Sequence, residues 1–207
     1  MKCIYFSEGA IEYKKMRTEI ITALVIEEEA RDAFRQSLND LFGQCFGPEY
    51  KTYPIYWEDI DDENVSAYCH VVRLFNINPN AIIYSCKIAD SSNVKKRAAQ
   101  IKIINEVKTS FNDDVKVFLP ANKNGKKIMK SLRNDLLDID IDCVISQNPL
   151  EESRFYQVSY LINNISLYFE NDLDYFDNID KGGKPQLVNF YLDIKKPKDK
   201  FIRVTLS

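Results

Sequence analysis

The chain holds a single histidine, His70, among its 207 residues. That scarcity removes a histidine-rich metal centre and leaves nucleophile triads only one candidate base. His70 lies in an apolar helical stretch and reads as a partly buried packing residue. The sequence also lacks any long Gly/Ser/Pro linker, internal repeat or low-complexity segment, so one domain is expected over 1–207 rather than two. No apolar run approaches membrane-spanning length, and the opening MKCIYFSEGA is too short in apolar residues for a signal peptide. The expectation is a cytoplasmic protein with no membrane partner. Charge of one sign is missing too: a formal net charge of -3 gives no global pull towards nucleic acid or acidic lipid.

What the chain does contain points to a packed core. Tyr and Phe number 12 each, which argues against extensive disorder. Five cysteines, Cys3, Cys45, Cys69, Cys86 and Cys143, are odd in number, scattered and mostly flanked by apolar residues; they read as reduced, buried thiols.

The stretch 147–170 organises the rest. Pro149 closes a preceding strand, and Val158, Leu161, Ile162, Ile165, Tyr168 and Phe169 then recur at helical spacing, leaving Gln157, Tyr160, Asn163 and Asn164 as a polar face on which a site would sit. Ahead of it, 3–6 and 18–26 read as two antiparallel strands of a buried sheet. The spacing predicts helices over 27–42, with Gly43 as the stop, and over 63–75; between them, 47–60 reads as extended. A strand over 81–88, a helix from Asn93 to about residue 111, a strand over 115–119, a helix over 125–137 and a strand over 139–145 follow. Alternation at Val188, Phe190, Leu192 and Ile194, and again at Ile202, Val204 and Leu206, predicts a C-terminal β-hairpin over 186–207. The expected class is α/β, a mixed sheet flanked by helices.

Four short motifs add a resemblance. Ile4-Tyr5-Phe6-Ser7-Glu8-Gly9 is similar to a strand ending Asp-Glu-Ser-Gly, and Glu49-Tyr50-Lys51 to a Glu-x-Lys. Val117-Phe118-Leu119-Pro120 is similar to a strand ending in Asp, and Gln157-Val158-Ser159-Tyr160 to Gln-Leu-Ala-Asp. In this order, over residues 1–165, the chain resembles a bacterial RNase H-like family of unknown function, which implies an RNase H-like fold. The resemblance also implies several carboxylates around divalent metal, since two hard cations on a phosphodiester need oxygen ligands on both sides. Here Ser7, Pro120 and Tyr160 stand where the motifs carry Asp, leaving Glu8 and Glu49 beside Lys51. The resemblance therefore implies a degenerate site of Ser7, Glu8, Glu49, Lys51, Pro120, Gln157 and Tyr160, with no catalytic residue and no cofactor.

Further expectations follow. Glu8, Glu49, Lys51, Pro120 and Tyr160 should converge at one sheet edge with at least one direct hydrogen bond among them; Glu8 and Tyr160 on opposite faces, or Glu49 far from both, would overturn the motif alignment and, with it, the pseudo-nuclease hypothesis. The leading function is a non-catalytic RNase H-like protein that acts by binding, with another protein as the partner. The rivals are a divergent nuclease using Mg²⁺ or Mn²⁺, and a non-cleaving nucleic-acid binder using Lys95, Lys96, Arg97, Lys195, Lys196, Lys198 and Lys200. The run Asp172, Asp174, Asp177 and Asp180 lacks the turn glycine and closing glutamate of a calcium loop and reads as solvated; 122–127 reads as a basic turn and Tyr50, Tyr53, Tyr56 and Trp57 as packing over a sheet edge.

Overall fold

The computed structural model describes residues 1–13, 16–48, 57–88, 92–119, 130, 132–136, 149–170, 182–194 and 200–206. Strands β1 (Lys2–Tyr13) and β2 (Met16–Glu27) pair antiparallel along their whole length, from Lys2 opposite Glu27 to Tyr13 opposite Met16. A 3-10 turn at Glu28–Ala30 leads into α1 (Arg31–Phe46), and α2 (Val65–Ile77) precedes β3 (Ala81–Ile88). Then come α3 (Asn93–Phe111), β4 (Val115–Phe118), α4 (Pro149–Glu170), α5 (Lys184–Asp193) and β5 (Phe201–Val204).

The sheet order is β4-β1-β2-β3-β5. β1, β2 and β3 are antiparallel in succession, β4 runs parallel to β1, and β5 runs parallel to β3. The fold is α/β, a mixed sheet flanked by helices, and the order β3-β2-β1-β4 is consistent with the layout of RNase H-like domains.

Because successive strand side chains point to opposite faces, the sheet sorts its residues into two cores. Cys3, Tyr5, Leu24, Ile26 and Ile83 pack with Phe34, Leu38, Val72, Phe155, Val158, Leu161 and Leu187, so α1, α2, α4 and α5 cover one face. Ile4, Phe6, Ile21, Ala23, Val25 and Tyr84 pack with Ala99, Ile103, Ile104 and Val107 of α3 on the other. On the first face Tyr5 stacks on Phe118 at 4.8 Å and meets Phe155 at 4.7 Å, which joins β1, β4 and α4 through one set of rings.

Several assignments differ from the sequence expectation. Gly43 does not stop α1; the helix continues to Phe46, and Gly47 caps it with a positive φ of 111 that favours glycine, while its N–H donates to Gly43 O. Ser92 rather than Asn93 is the cap of α3, its hydroxyl accepting from the Lys95 N–H. α4 begins at Pro149, which suits a first-turn position, rather than after it. The C-terminal hairpin is not formed. Residues 184–193 are helical, with Leu187, Val188 and Tyr191 buried at helical spacing and a proline in the first turn, and only 201–204 are a strand. Val188, Phe190, Leu192 and Ile194 alternate, but over so short a run a two-residue period and a helical stripe share most of their positions. Residues 132–135 are helical, inside the span expected for that element; of the stretch 47–60 expected to be extended, residues 57–59 form a bend and turn, and 49–56, like the strand expected over 139–145, lie outside the described residues.

Candidate functional site at the far end of the first strand

Beyond Phe6 the apolar alternation of β1 gives way to Ser7, Glu8 and Gly9, and the same two-residue period now delivers polar groups to both faces. Ser7 points towards α4. Its hydroxyl lies 2.6 Å from that of Thr22 on β2 and 2.9 Å from that of Ser159 on α4. One helical turn on, Asn163 Nδ2 donates to Ile20 O at 2.8 Å and to Thr22 Oγ1 at 3.1 Å. Thr22, Ser159 and Asn163 have no exposed surface, so this seam is a buried hydroxyl and amide network that fixes α4 across the two strands. Asn163 Oδ1 receives no hydrogen bond among the described residues. Gly9 makes the approach possible: a Cβ there would lie 2.0 Å from Asn163 Oδ1 and 2.6 Å from Leu167 Cδ1.

Glu8 points the other way, towards α3. Gln100 Nε2 donates to its Oε1 at 3.3 Å, and Lys96 Nζ lies 3.3 Å from its Oε2. Lys96 and Gln100 are four residues apart, so both reach the same spot from one helix face. The same ammonium is 3.3 Å from Glu19 Oε2 on β2, and Arg17 holds Glu19 Oε1 at 2.6 Å. The Glu19 side chain is only 2% exposed. Burial pulls the Lys96 pKa down, but the charges of Glu8 and Glu19 and their hydrogen bonds outweigh it, and the net shift is upward. Two carboxylates from adjacent strands thus share one protein-borne cation. Among the described residues no group of three His, Cys, Asp or Glu side chains is placed to hold a metal ion.

The expected convergence of Glu8 and Tyr160 is not observed. Tyr160 belongs to α4, on the opposite side of the sheet from Glu8, and its hydroxyl donates to Glu58 Oε1 at 2.7 Å. Strand alternation is the reason: Ser7 and Glu8 are consecutive, so only one of them can face α4, and it is Ser7. Gln157 also lies apart from Glu8, its Oε1 accepting from Arg154 Nη1 at 3.0 Å. Glu49, Lys51 and Pro120 lie outside the described residues. By the criterion set from the sequence, the motif alignment does not hold at Tyr160, and the pseudo-nuclease reading loses the support of that alignment.

The basic residues are dispersed. Lys96 is the counter-ion just described, Arg97 pairs with Asp135, and Lys95 is exposed at the start of α3. Lys200 is no surface contact: it is 5% exposed, its Nζ donates to the carbonyls of Asn78 and Ala81, and it sits 5.1 Å from the Phe75 ring. Lys195, Lys196 and Lys198, like the acidic run from Asp172 to Asp180, lie outside the described residues. His70 is exposed rather than packed, and Trp57 is buried. Cys3 and Cys86 are buried, Cys69 is half-buried and Cys45 is exposed; all four are free thiols.

Sequence reasoning missed Glu19, Thr22, Ser159 and Gln100. A signal for the first existed: Glu19 is a charge at the head of the largely apolar run 20–26, which calls for a nearby cation. Ser159 and Asn163, four apart, mark a polar line on the buried side of α4 rather than on its outer face. No protein-family model, curated protein or solved structure matches the chain.

Proposed function

We propose that this is a non-catalytic protein that acts in the cytoplasm by binding another protein. One observation carries the reading: Lys96 stands between Glu8 and Glu19, so the carboxylate pair at this end of the sheet is already neutralised by the chain itself. A divalent cation there would have to displace an ammonium that both carboxylates hold, and would meet two carboxylates where Mg²⁺ prefers six oxygen ligands. A protein partner is favoured over nucleic acid because Lys96, Arg97 and Lys200, three of the basic side chains that a phosphate backbone would need, are committed to internal contacts. No helix among the described residues is long and apolar enough to cross a membrane.

The test has three arms. Incubation with single-stranded, duplex and hybrid nucleic acids in Mg²⁺ or Mn²⁺ is expected to give no cleavage, and millimolar Mn²⁺ to leave the melting temperature unmoved, since a ligand that binds only the folded state must raise it. Affinity capture from the native host is expected to recover a protein in stoichiometric amount. Cleavage abolished by Glu8→Gln would overturn the reading in favour of a divergent nuclease, and nucleic-acid affinity falling steeply with salt would overturn it in favour of a nucleic-acid binder.

A further inference from the structure

A cavity of about 580 Å³ opens on the α4 side of the sheet, at the end where β5 stops. Its volume falls within the range of small-molecule sites, roughly 300–1,000 Å³. The register explains the space. β3 pairs with β2 as far as Ile88, but β5 pairs with β3 only from Ile83 opposite Phe201 to Cys86 opposite Val204, so the sheet loses its outer strand beside Lys87 and Ile20. Above this gap α4 presents Ser166, whose side chain is too short to fill it and turns back to donate to the Ile162 carbonyl at 2.8 Å. Ile20, Tyr191 and Val204 are buried, and with Leu192 and Phe201 they make the wall apolar; Leu192, 38% exposed, stands at the mouth.

The polar groups along this wall offer a ligand hydrogen bonds rather than a counter-charge. Lys87 and Arg203 border the cavity, but both are exposed and each is already engaged by another group of the protein, so they contribute their stems to the rim. No carboxylate lines it among the described residues. Burial pushes the Tyr191 phenol strongly upward, which keeps it neutral. Two buried hydroxyls remain, Ser85 on β3 and Ser166 on α4, each only 6% exposed. The Ser166 proton is committed to Ile162, so its oxygen is left to accept, while the Ser85 hydroxyl can donate or accept. An ion entering here would lose its hydration against apolar side chains with no free counter-charge to replace it, whereas an uncharged apolar body would gain from the same wall.

We infer that this cavity is a binding site for an uncharged small molecule, a flat apolar body carrying one hydroxyl, with the ring system against Ile20, Tyr191 and Phe201 and the hydroxyl between Ser85 and Ser166. The site is on the sheet face opposite Glu8 and Lys96 and is tested on the isolated chain, so the inference stands whether or not the protein-binding reading does. Isothermal titration calorimetry with 2-naphthalenemethanol, and with the similarly sized 2-naphthoate anion and 2-naphthylmethylammonium cation, provides the test. Saturable one-to-one binding of the alcohol is expected, with both ions about tenfold weaker or more. Ser85→Ala, which removes one hydroxyl and keeps the space, should weaken the alcohol about fivefold. Ser166→Leu, which fills the cavity, should abolish its binding, and Leu192→Trp, which narrows the mouth from an exposed position and so keeps the fold, should weaken it about tenfold; a thermal melt verifies the folding of each variant. The inference is overturned by no saturable binding of the alcohol up to about 1 mM, by either ion binding as tightly as the alcohol, or by an alcohol affinity that Leu192→Trp and a folded Ser166→Leu both leave unchanged.

Discussion

Replacing Lys200 by Met tests how this fold tolerates a cation in its interior. The side chain is almost fully enclosed, and its ammonium donates to the Asn78 and Ala81 carbonyls beneath the Phe75 ring. Burial lowers its pKa from 10.5 to about 8. Between those values the unfolded chain keeps a proton that the folded chain has released, so stability must rise with pH over that window. The gap corresponds to about 3 kcal/mol, an upper figure because the two carbonyls favour the charged form. Urea unfolding of the protein and of Lys200→Met from about pH 7 to about pH 11 isolates the effect, since tyrosines, cysteines and the other lysines titrate alike in both. The parent should gain up to about 3 kcal/mol on the variant across the window, while near pH 7 the two lie close together: Met removes the buried charge but leaves two carbonyls without their donor. A difference that stays constant with pH would refute the reasoning. So would a parent that loses ground as pH rises, because the carbonyl cage would then be holding the ammonium more tightly than water does.

Three further outcomes are expected. Lys96→Met should cost about 2–3 kcal/mol in urea melts near neutral pH by leaving the buried Glu19 with Arg17 alone, and an unchanged midpoint in the variant would contradict the ion cluster. Gly9→Ala should destabilise by about 2 kcal/mol or more, because the new methyl meets Asn163 and Leu167, and a double-mutant cycle with Asn163→Ala should show recovery rather than additivity. Brief alkylation of the native protein followed by peptide mass spectrometry should label Cys45 and spare Cys3 and Cys86, which become reactive only on unfolding; labelling of Cys86 at the Cys45 rate would contradict its burial and its raised pKa.

Much of the fold was legible because its elements carry strong periods. The strand at Ala81–Ile88 and the helix at Asn93–Phe111 fall where β-branched runs and helical spacing place them, bounded by Asn80 and by Asn112, whose φ of 47 gives a left-handed cap. The antiparallel opening was legible as well, although β1 and β2 go on pairing beyond the apolar runs as far as Tyr13 and Met16. The failure lay at the C-terminus. Apolar residues at 187, 188, 191 and 194 make a helical stripe, yet the subset 188, 190, 192 and 194 passes for a strand, and only the position of Tyr191 in the core decides between them. Lys200 misled for a related reason: charge in a lysine-rich stretch advertises a surface, whereas a four-carbon stem can thread into a core if carbonyls wait at its end.

The candidate site was less legible because a motif records neighbours in sequence, and a strand sends neighbours to opposite sides. Ser7 and Glu8 are neighbours at one strand end in the sequence, but in the fold they serve separate arrangements. Ser7 joins a buried hydroxyl seam with Thr22, Ser159 and Asn163, and Glu8 joins an ion cluster with Glu19, Lys96 and Gln100. The groups that complete each arrangement come from β2 and from whichever helix covers that face, so they stand scattered through the sequence at 19, 22, 96, 100, 159 and 163. Within a helix the pairs 96/100 and 159/163 show the four-residue spacing that lets two side chains reach one point. Across the sheet, the registers Ser7 opposite Thr22 and Ala10 opposite Glu19 bring the remaining members together. That register follows from the apolar pattern of the two strands, since a slip of one residue would turn Ile4, Ile21 and Val25 out of their core and Glu19 into the other. The polar cluster is therefore a consequence of the hydrophobic one: once the core fixes which way Ile4 and Phe6 face, Glu8 must face α3, and the chain supplies Lys96 there to receive it.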